Sequence, residues 1–472
     1  MASYGVPRRE QPRGGDLKVK IYGEVPPLAS SEGSSVGSNP KIYNRIKNEI
    51  LSNVQNIEEA HFALYLFNNI DLLGVLKQVA RAGSVTVTSL PLSGYDERKI
   101  GRAQKIYDEL KGGLENFKLL IYPHMYVWYG AEYAGGTPSY SFHVKVGYIT
   151  YKDGSSKIIL TSCNLAPGDP YHSETAVIVD DPSSSTPYSS AFKEFFNQVE
   201  QLAIPWSHYS NSVQKLSKQL QLAFDFAFIG KYNLKDWRGR FLDNAFFTGP
   251  FITINNMGST WYARKKIVDL IMSVEKRLLV AAQHIHDIAP FNGYTGETLI
   301  SAIIEKKGAN PSLEVKVLKQ VSSKGLADKR RAAFAECHLS YAGIEQKANK
   351  LVHDKFVIAD DTVLVTTSNF TATQFGWGDH KMEFTIESDY RTVSDVVDVA
   401  LSLFGHPRDL VTINPSRSRR SMKEKTKVTK LDVFAEVNGF IIIEDESLAN
   451  ALAEYFYKLW NHSLSERVAV PR

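Results

Sequence analysis

The sequence contains very little cysteine. Cys163 and Cys337 are the only two in 472 residues, and they stand 174 positions apart. This scarcity excludes a disulfide framework and a thiolate-rich metal site. The chain also has no uninterrupted apolar run of about eighteen residues, so no membrane span is predicted. The first residues, MASYGVPRREQPRGG, have no apolar stretch typical of a signal peptide. We therefore expect a soluble, cytoplasmic protein.

Neither sign of charge predominates. The formal net charge is +4, from 55 Lys and Arg against 51 Asp and Glu. Such a balance allows a polyanionic partner without requiring one. Hydrophobic residues make up 43% of the chain and charged residues 22%, which is an ordinary globular composition. A chain of this length is expected to hold about two or three domains.

The order of the apolar patterns predicts an α/β fold. The strand-like run EAHFALYLF is followed by the amphipathic helix DLLGVLKQVARAG, and a second helix and strand pattern, ARKKIVDLIMSVEKRLLVAAQHIHDI, begins some 200 residues later. Helices that alternate with apolar strands indicate a mixed sheet covered by helices. The predicted segments are a flexible N-terminal segment (1–40), a first half (41–205), a connecting segment (206–250), a second half (251–405) and a C-terminal basic segment whose helix packs on the second half (406–472).

Each half contains a strand that begins with a histidine, and the same polar residue types follow it in the same order. The corresponding pairs are His143 with His353, Lys145 with Lys355, Asn164 with Asn369 and Glu174 with Glu383, at offsets of 210, 210, 205 and 209 residues. Four matching residue types at a nearly constant offset indicate an internal duplication.

These residue types suit the cleavage of a phosphodiester. Positions i and i+2 of a strand share a face, so each histidine projects together with its lysine. Two halves packed about a pseudo-twofold axis would place two imidazoles, two ammonium groups and two amides in one cleft. One imidazole can attack phosphorus while the other protonates the leaving oxygen, and the cations stabilise the developing charge. Each glutamate can accept the second ring N–H of a histidine. We expect no metal or cofactor, because the cations belong to the protein.

The second copy of this pattern resembles the phospholipase D superfamily. It reads His353, Lys355, Asp360, and then TTSN ending at Asn369. In the first copy Thr150 stands where the aspartate would fall. A motif without that aspartate is similar to the His-Lys-Asn form of the tyrosyl-DNA phosphodiesterases. The resemblance implies two phospholipase D-like α/β halves that form a pseudo-twofold dimer within one chain.

The resemblance also implies the roles of the histidines. It implies a covalent phosphohistidine intermediate, with His143 as the nucleophile and His353 as the general acid. One chain is sufficient for the site, and the oligomeric state stays open. Asp360 is placed with the site residues, although support of a turn is the role we favour. Glu436 is a rival to Glu383 in the second half, and His172 is interpreted as a surface histidine.

The sequence leaves the substrate open. Residues 122–141 contain six aromatic side chains, which could stack nucleobases, enter a lipid interface or cover the core. Two stretches rich in Lys and Arg, 318–334 and 416–430, would suit a nucleic-acid backbone. A metal-independent nuclease that acts on DNA or RNA is the favoured prediction. A phospholipase D-type phospholipid hydrolase or transphosphatidylase is the alternative, and an inactive nucleic-acid-binding protein is a third reading.

Overall fold

The computed structural model describes most of the chain. The described residues are 17–26, 41–90, 105–110, 113–122, 128–129, 132–133, 142–166, 171–208, 235–249, 251–288, 297–321, 326–375, 382–388, 411–416, 424–430 and 436–468. Over these residues the chain has an α/β fold, in which helices flank two mixed sheets of eight strands each. The predicted fold class is confirmed.

The first sheet is formed by the N-terminal part of the chain. Its strands are β1 (Lys18–Glu24), β2 (Ile57–Leu64), β3 (Ser84–Ser89), β4 (Phe117–Ile121), β5 (Lys145–Tyr151), β6 (Ser156–Thr161), β7 (Glu174–Asp181) and β8 (Ile204–Pro205). They lie in the order β1-β7-β6-β5-β2-β3-β4-β8. Strands β5 and β6 are buried along almost their whole length, as expected for strands covered on both faces.

The second sheet is formed by the C-terminal part. Its strands are β9 (Ala245–Thr248), β10 (Arg277–Ala282), β11 (Glu314–Lys319), β12 (Glu345–Ala348), β13 (Lys355–Ala359), β14 (Thr362–Thr366), β15 (Asn438–Glu444) and β16 (Glu466–Arg467). Their order is β9-β15-β14-β13-β10-β11-β12-β16. The order of the second sheet therefore matches that of the first, strand for strand.

The directions of the strands match as well. The pairs β2–β3 and β3–β4 are parallel, as are β10–β11 and β11–β12. The other neighbouring pairs are antiparallel in both sheets. The internal duplication predicted from four polar residues thus extends to the topology of both sheets.

Helices cover the sheets through their apolar faces. The longer helices among the described residues are α1 (Lys41–Leu51), α2 (Ile70–Ala80), α3 (Pro187–Leu202), α4 (Ser259–Ser273), α5 (Leu299–Ala309), α6 (Leu326–Tyr341) and α7 (Glu446–Trp460). In α1 the buried residues are Ile42, Ile46 and Ile50, which recur at helical spacing and face the first sheet's core. Helix α7 begins after Asp445, whose side chain accepts a hydrogen bond from the Leu448 amide.

The two sheets share one hydrophobic core. Val146 on β5 and Leu160 on β6 belong to the same buried cluster as Phe440 on β15. Side chains of both halves surround Gly439, where an added Cβ would lie 3.0 Å from Phe247 Cε1, 3.2 Å from Leu160 Cδ1 and 3.3 Å from Val146 Cγ1. A larger residue at this position would require these side chains to shift. The halves therefore form one packed body around the β5–β6 and β14–β15 strands.

Three segments differ from the predicted organisation. Lys18–Glu24 forms edge strand β1 within the predicted flexible segment, because Val19 and Ile21 pack on the core beside β7. Strand β9 lies in the predicted connecting segment, and β15 lies in the predicted C-terminal segment, yet both belong to the second sheet. Helix α7 contacts β10, β13 and β14 of the second sheet, and it also contacts β1 of the first sheet.

Smaller elements complete the described chain. They are the strands Trp128–Tyr129, Glu132–Tyr133, Lys235–Trp237, Ile252–Ile254, Met257–Gly258, Ile285–His286, Phe370–Thr371, Met382–Ser388, Val411–Ser416 and Glu424–Lys430, and the short helices Val54–Asn56, Trp206–His208, Arg240–Asp243 and Ala372–Phe375. None of the helices in the described ranges is long and apolar enough to cross a membrane.

Candidate active site

The two His-x-Lys motifs occupy equivalent places in their sheets. Strand β5 begins at Lys145, which pairs with Leu64 at the C-terminal end of β2. Strand β13 begins at Lys355, which pairs with Ala282 at the C-terminal end of β10. Each histidine therefore lies just outside its sheet, at the edge where the parallel strands end.

Both motifs contact the opposite half of the chain. Phe142, which precedes the first histidine, forms a β-bridge with Val437, and Val352 forms the equivalent bridge with Ser173. The amide of each histidine donates to the carbonyl of that same bridging residue, at 3.0 Å in the first half and 3.3 Å in the second. Each histidine is thus fixed by the strand that leads into β15 or β7 of the other half.

The two lysines have the same conformation. Lys145 and Lys355 are fully buried, and each Nζ donates to the carbonyl of the histidine two residues earlier at 2.6 Å. A buried ammonium needs polar partners, because its transfer from water is costly. Its curled stem holds the cation beside the histidine, as expected from the shared strand face.

The two predicted asparagines follow equivalent turns. Strand β6 pairs antiparallel with β5, and β14 pairs antiparallel with β13, so each asparagine lies at the end of a hairpin. In the first half the Thr161 hydroxyl accepts from the Cys163 amide at 3.1 Å, and in the second the Thr366 hydroxyl accepts from the Ser368 amide at 3.0 Å. This threonine turn precedes Asn164 in the first half and Asn369 in the second.

Glu174 joins the two halves directly. Its Oε1 lies 2.8 Å from Nδ1 of His353, and its Oε2 accepts from the Ser162 hydroxyl at 2.5 Å. The predicted glutamate–histidine contact is therefore present, but the glutamate of the first half supports the histidine of the second.

The electrostatics of Glu174 report on both motifs. Burial raises the pKa of Glu174 to about 7, while Lys355, the Ser162 hydroxyl, His172 and Lys145 act to lower it. Residues of both motifs therefore act on the charge of this one carboxyl.

The first histidine has different neighbours. The ring of His143 lies 5.4 Å from that of Tyr65 in an edge contact, and Lys145 Nζ lies 5.4 Å from the centre of the Tyr65 ring. Tyr65 is half-buried. No local pattern in the sequence indicates this tyrosine, because it lies 78 residues before the histidine on the chain segment after β2.

The position of Glu174 is occupied by an amide in the second half. The equivalent residue is Asn438 at the start of β15, whose Oδ1 accepts from the Thr367 hydroxyl at 2.9 Å as Glu174 accepts from Ser162. Its Nδ2 donates to Oε2 of Glu436 at 2.9 Å, and Gln374 also donates to that oxygen. Glu436, which the sequence offers as an alternative to Glu383, is therefore buried beside Asn438.

The prediction that Glu383 is the counterpart of Glu174 in the second half is wrong. Glu383 lies on the strand Met382–Ser388, which pairs with Glu424–Lys430 in a separate three-stranded sheet. Its side chain lies outside the described residues. Strand β15, not this strand, is the counterpart of β7, and it arrives from much later in the chain.

A third histidine lies beside the second motif. The ring of His172 is 5.6 Å from that of His353, and it is half-buried rather than fully on the surface. Its charge is one of those that lower the pKa of Glu174. Its spacing, two residues before Glu174 on the same strand face, is the signal that could have indicated it.

Asp360 lies away from this site. It occupies the turn after β13, at the end of the strand opposite to Lys355, with a positive φ of 53°. Its carboxylate accepts hydrogen bonds from the amides of Glu275, Lys276 and Arg277 at 2.7, 2.9 and 2.8 Å. These contacts support the start of β10, so the structural role is the one that the geometry bears out.

Segments that bear on substrate choice lie largely outside the described residues. The side chains of 123–141 are among them, as are those of 322–331 and 417–430. Tyr122, the first residue of the aromatic segment, is buried and stacks on Phe142 at 4.3 Å. It therefore belongs to the core and not to a binding surface.

Comparisons with known proteins gave structural similarities only. No protein-family model and no curated protein matches the sequence. The chain resembles polyphosphate kinase from Porphyromonas gingivalis with a TM-score of 0.42 and 8% identity, over 94% of this chain and 51% of the kinase, so it spans about half the kinase's length. It resembles yeast tyrosyl-DNA phosphodiesterase with a TM-score of 0.41 and 10% identity, over 87% and 90% of the two chains.

A third similarity is to NucT from Helicobacter pylori. The TM-score is 0.27 at 16% identity, over 40% of this chain and 100% of NucT. At such low identities and scores the similarities carry no weight for function, which rests on the site alone.

Proposed function

We propose that this chain is a phosphodiesterase that uses two histidines, and that its substrate is a nucleic acid. The observation that carries the proposal is the contact of Glu174, on a strand of the first half, with His353 of the second half. In this proposal the two His-x-Lys motifs supply a nucleophile, an acid and two cations to a single site.

In the first step, Nε2 of His143 attacks phosphorus and forms an N–P bond. The P–O bond to the leaving group breaks, and Nε2 of His353 donates its proton to the leaving oxygen. Lys145 and Lys355 stabilise the negative charge that grows on the non-bridging oxygens, and the amides of Asn164 and Asn369 are proposed as further donors.

In the second step, water replaces His143 on phosphorus. The neutral His353 takes a proton from the water, the new O–P bond forms and the N–P bond breaks. His353 is then protonated and His143 is neutral, as at the start. The cycle needs no redox partner, and we propose that the built-in cations make a metal ion unnecessary.

The neighbours of the two rings support this order of roles. Glu174 lies against Nδ1 of His353, and an adjacent carboxylate stabilises an imidazolium and fixes its tautomer. His143 faces Tyr65, and the residue equivalent to Glu174 on its side is the neutral Asn438. A protonated acid is therefore favoured at His353 and a neutral nucleophile at His143.

A nucleic acid is the substrate that the surroundings support best. The half-buried ring of Tyr65 stands beside His143 and Lys145, where it could stack on a base next to the scissile phosphate. The Lys- and Arg-rich stretches 318–334 and 416–430 would favour a polyanion.

The test compares substrates under one condition. Labelled single-stranded DNA, double-stranded DNA, RNA and phosphatidylcholine vesicles are incubated in EDTA with the wild-type protein and with His143→Ala. We expect cleavage of a nucleic acid by the wild type only. Release of choline without nucleic-acid cleavage would show that the substrate is a phospholipid. Cleavage that survives His143→Ala would overturn the mechanism.

A further inference from the structure

The residue between His353 and Lys355 has no role in the mechanism above. We propose that this residue, Asp354, is a positioning residue that holds the carboxylate of Glu174 against His353 by binding the two residues on either side of it. The proposal rests on the function given above, since it concerns the same site.

Asp354 is fully buried and surrounded by hydroxyl groups. Its Oδ2 accepts from the Ser173 hydroxyl at 2.5 Å, and its Oδ1 accepts from the Thr175 hydroxyl. The Tyr455 hydroxyl, on helix α7, lies 3.0 and 3.1 Å from the two oxygens. Burial raises the pKa of Asp354 to about 6, with the hydroxyl hydrogen bonds opposing the rise, so the group is mainly an acceptor near pH 8.

The alternation of strand faces explains why these contacts position Glu174. Successive side chains of a strand point to opposite faces. Ser173 and Thr175 therefore point one way, towards Asp354, while Glu174 between them points the other way, towards His353. Two hydrogen bonds to Asp354 fix the strand on both sides of the glutamate and so fix the direction of its side chain.

The backbone of this strand is held on both sides of Glu174. A β-bridge joins Ser173 to Val352, with hydrogen bonds of 2.8 Å from the Ser173 amide to Leu351 and of 3.3 Å from the His353 amide to Ser173. Beyond Ser173 the strand pairs with β1, and the Ser162 amide donates to the Thr175 carbonyl at 3.0 Å. The side-chain contacts with Asp354 add a direct connection from this strand to the residue next to His353.

The first half lacks this arrangement. The residue between His143 and Lys145 is Val144, which is buried in the apolar core. The residues that flank Asn438 are Val437 and Gly439, neither of which carries a side-chain hydroxyl. The contacts of an aspartate with the two hydroxyl residues beside a glutamate therefore occur at His353 and not at His143.

The direct test measures the ring of His353 by nitrogen-15 NMR at pH 8, with its signals assigned by His353→Gln. In the wild type we expect a proton on Nδ1, donated to Glu174. In Thr175→Val, which removes one hydroxyl at constant volume, we expect a mixture of tautomers. Thr88→Val is the matched control: Thr88 is also fully buried on a strand, and its hydroxyl has no hydrogen-bond partner in the described part of the chain. An unchanged Nδ1 proton in Thr175→Val would overturn the proposal.

Kinetics separate positioning from simple support of the fold. Asp354→Asn should lower kcat about tenfold or more with little change in KM, and Tyr455→Phe should lower it less. In a Glu174→Gln background, Asp354→Asn should have almost no further effect on kcat, because the group it positions is gone. Losses that multiply in the double variant would mean that Asp354 acts independently of Glu174, which contradicts the proposal.

The two measurements also distinguish this proposal from the proposed function. If the wild type cleaves no phosphodiester, the function fails, yet the tautomer of His353 still reports whether Asp354 and Thr175 position Glu174. If Asp354→Asn does not fold, Thr175→Val and Tyr455→Phe carry the same test with smaller perturbations.

Discussion

The two halves of the chain position their His-x-Lys pairs by the same sheet order but surround the two histidines differently. His353 contacts the carboxylate of Glu174, whereas the equivalent position near His143 is the amide of Asn438. The residue after each histidine is Asp354 in one half and Val144 in the other. The duplication is thus retained in the scaffold and lost in the residues that tune each ring.

This difference matters because the proposed reaction requires unequal histidines. A nucleophile must be neutral when it attacks, and a general acid must carry a proton at the same moment. Two identical environments would give the rings equal proton affinities. The carboxylate of Glu174 raises the proton affinity of His353 in this proposal, and the residue at the equivalent strand position in the other half is the neutral Asn438.

The largest effect on activity is expected when either imidazole is removed. His143→Ala and His353→Ala should each lower kcat for a nucleic acid by about 10⁴-fold or more. A substrate with a p-nitrophenolate leaving group separates their roles, since its departure needs no acid. His353→Ala should then release about one equivalent of nitrophenolate per site and stop, whereas His143→Ala should release none.

Stopped-flow absorbance measures this burst, and circular dichroism checks that both variants fold. A burst in His143→Ala instead would assign the nucleophile to His353. The absence of a burst in both variants would contradict a covalent intermediate.

The next effect concerns the lysines, where the halves should behave alike. Lys145→Met and Lys355→Met each remove a cation held 2.6 Å from the preceding histidine's carbonyl. Each should lower kcat/KM about 10²- to 10³-fold, because charge stabilisation in the transition state is lost. Steady-state kinetics on the same substrate provide the measurement. Full activity in one variant would show that its motif does not reach the phosphate.

The third prediction concerns Glu174, where the halves should differ. Glu174→Gln should lower kcat about 10- to 100-fold, less than the loss of an imidazole, because His353 remains but its tautomer is no longer fixed. The change should also remove an ionisation near pH 7 from the pH profile of kcat. The exposed Glu58 on β2 provides a matched Glu→Gln control.

The same carboxyl predicts a pH dependence of stability. Burial raises the pKa of Glu174 from 4.5 in the unfolded chain to about 7, so the folded state binds the proton more tightly. The resulting stability is present below pH 4.5 and is lost as the pH rises through about 7. Urea unfolding between pH 5 and 8 should show this loss in the wild type and a smaller slope in Glu174→Gln. Equal slopes would mean that the carboxyl is not buried in this way.

The sequence was sufficient for those features that depend on residues close together in the chain. The two-residue period of a strand groups each histidine with its lysine, whereas the position of each asparagine relative to that pair stays a prediction. The sequence does not identify Asn438 as the counterpart of Glu174 in the second half. Strand β15 joins the sheet from beyond residue 436, and Glu383 is nearer in sequence. Tyr65 and Tyr455 reach the site from other elements, and no local pattern indicates such contacts. Strand β1 was missed because Gly, Ser and Pro residues surround it.

The smallest effect on activity should come from Asp360, which the motif resemblance placed with the site residues. Asp360→Ala removes the acceptor of three backbone amides, from Glu275, Lys276 and Arg277. It should lower the free energy of unfolding by about 1–3 kcal/mol and leave kcat unchanged. Asp360→Asn keeps an acceptor oxygen and tolerates the positive φ, so it should recover part of the loss. Chemical unfolding and kinetics on the same samples test both statements. A fall in kcat with the fold intact would mean that Asp360 contributes to catalysis. Its effect would then have to reach His353 along strand β13, from the opposite end.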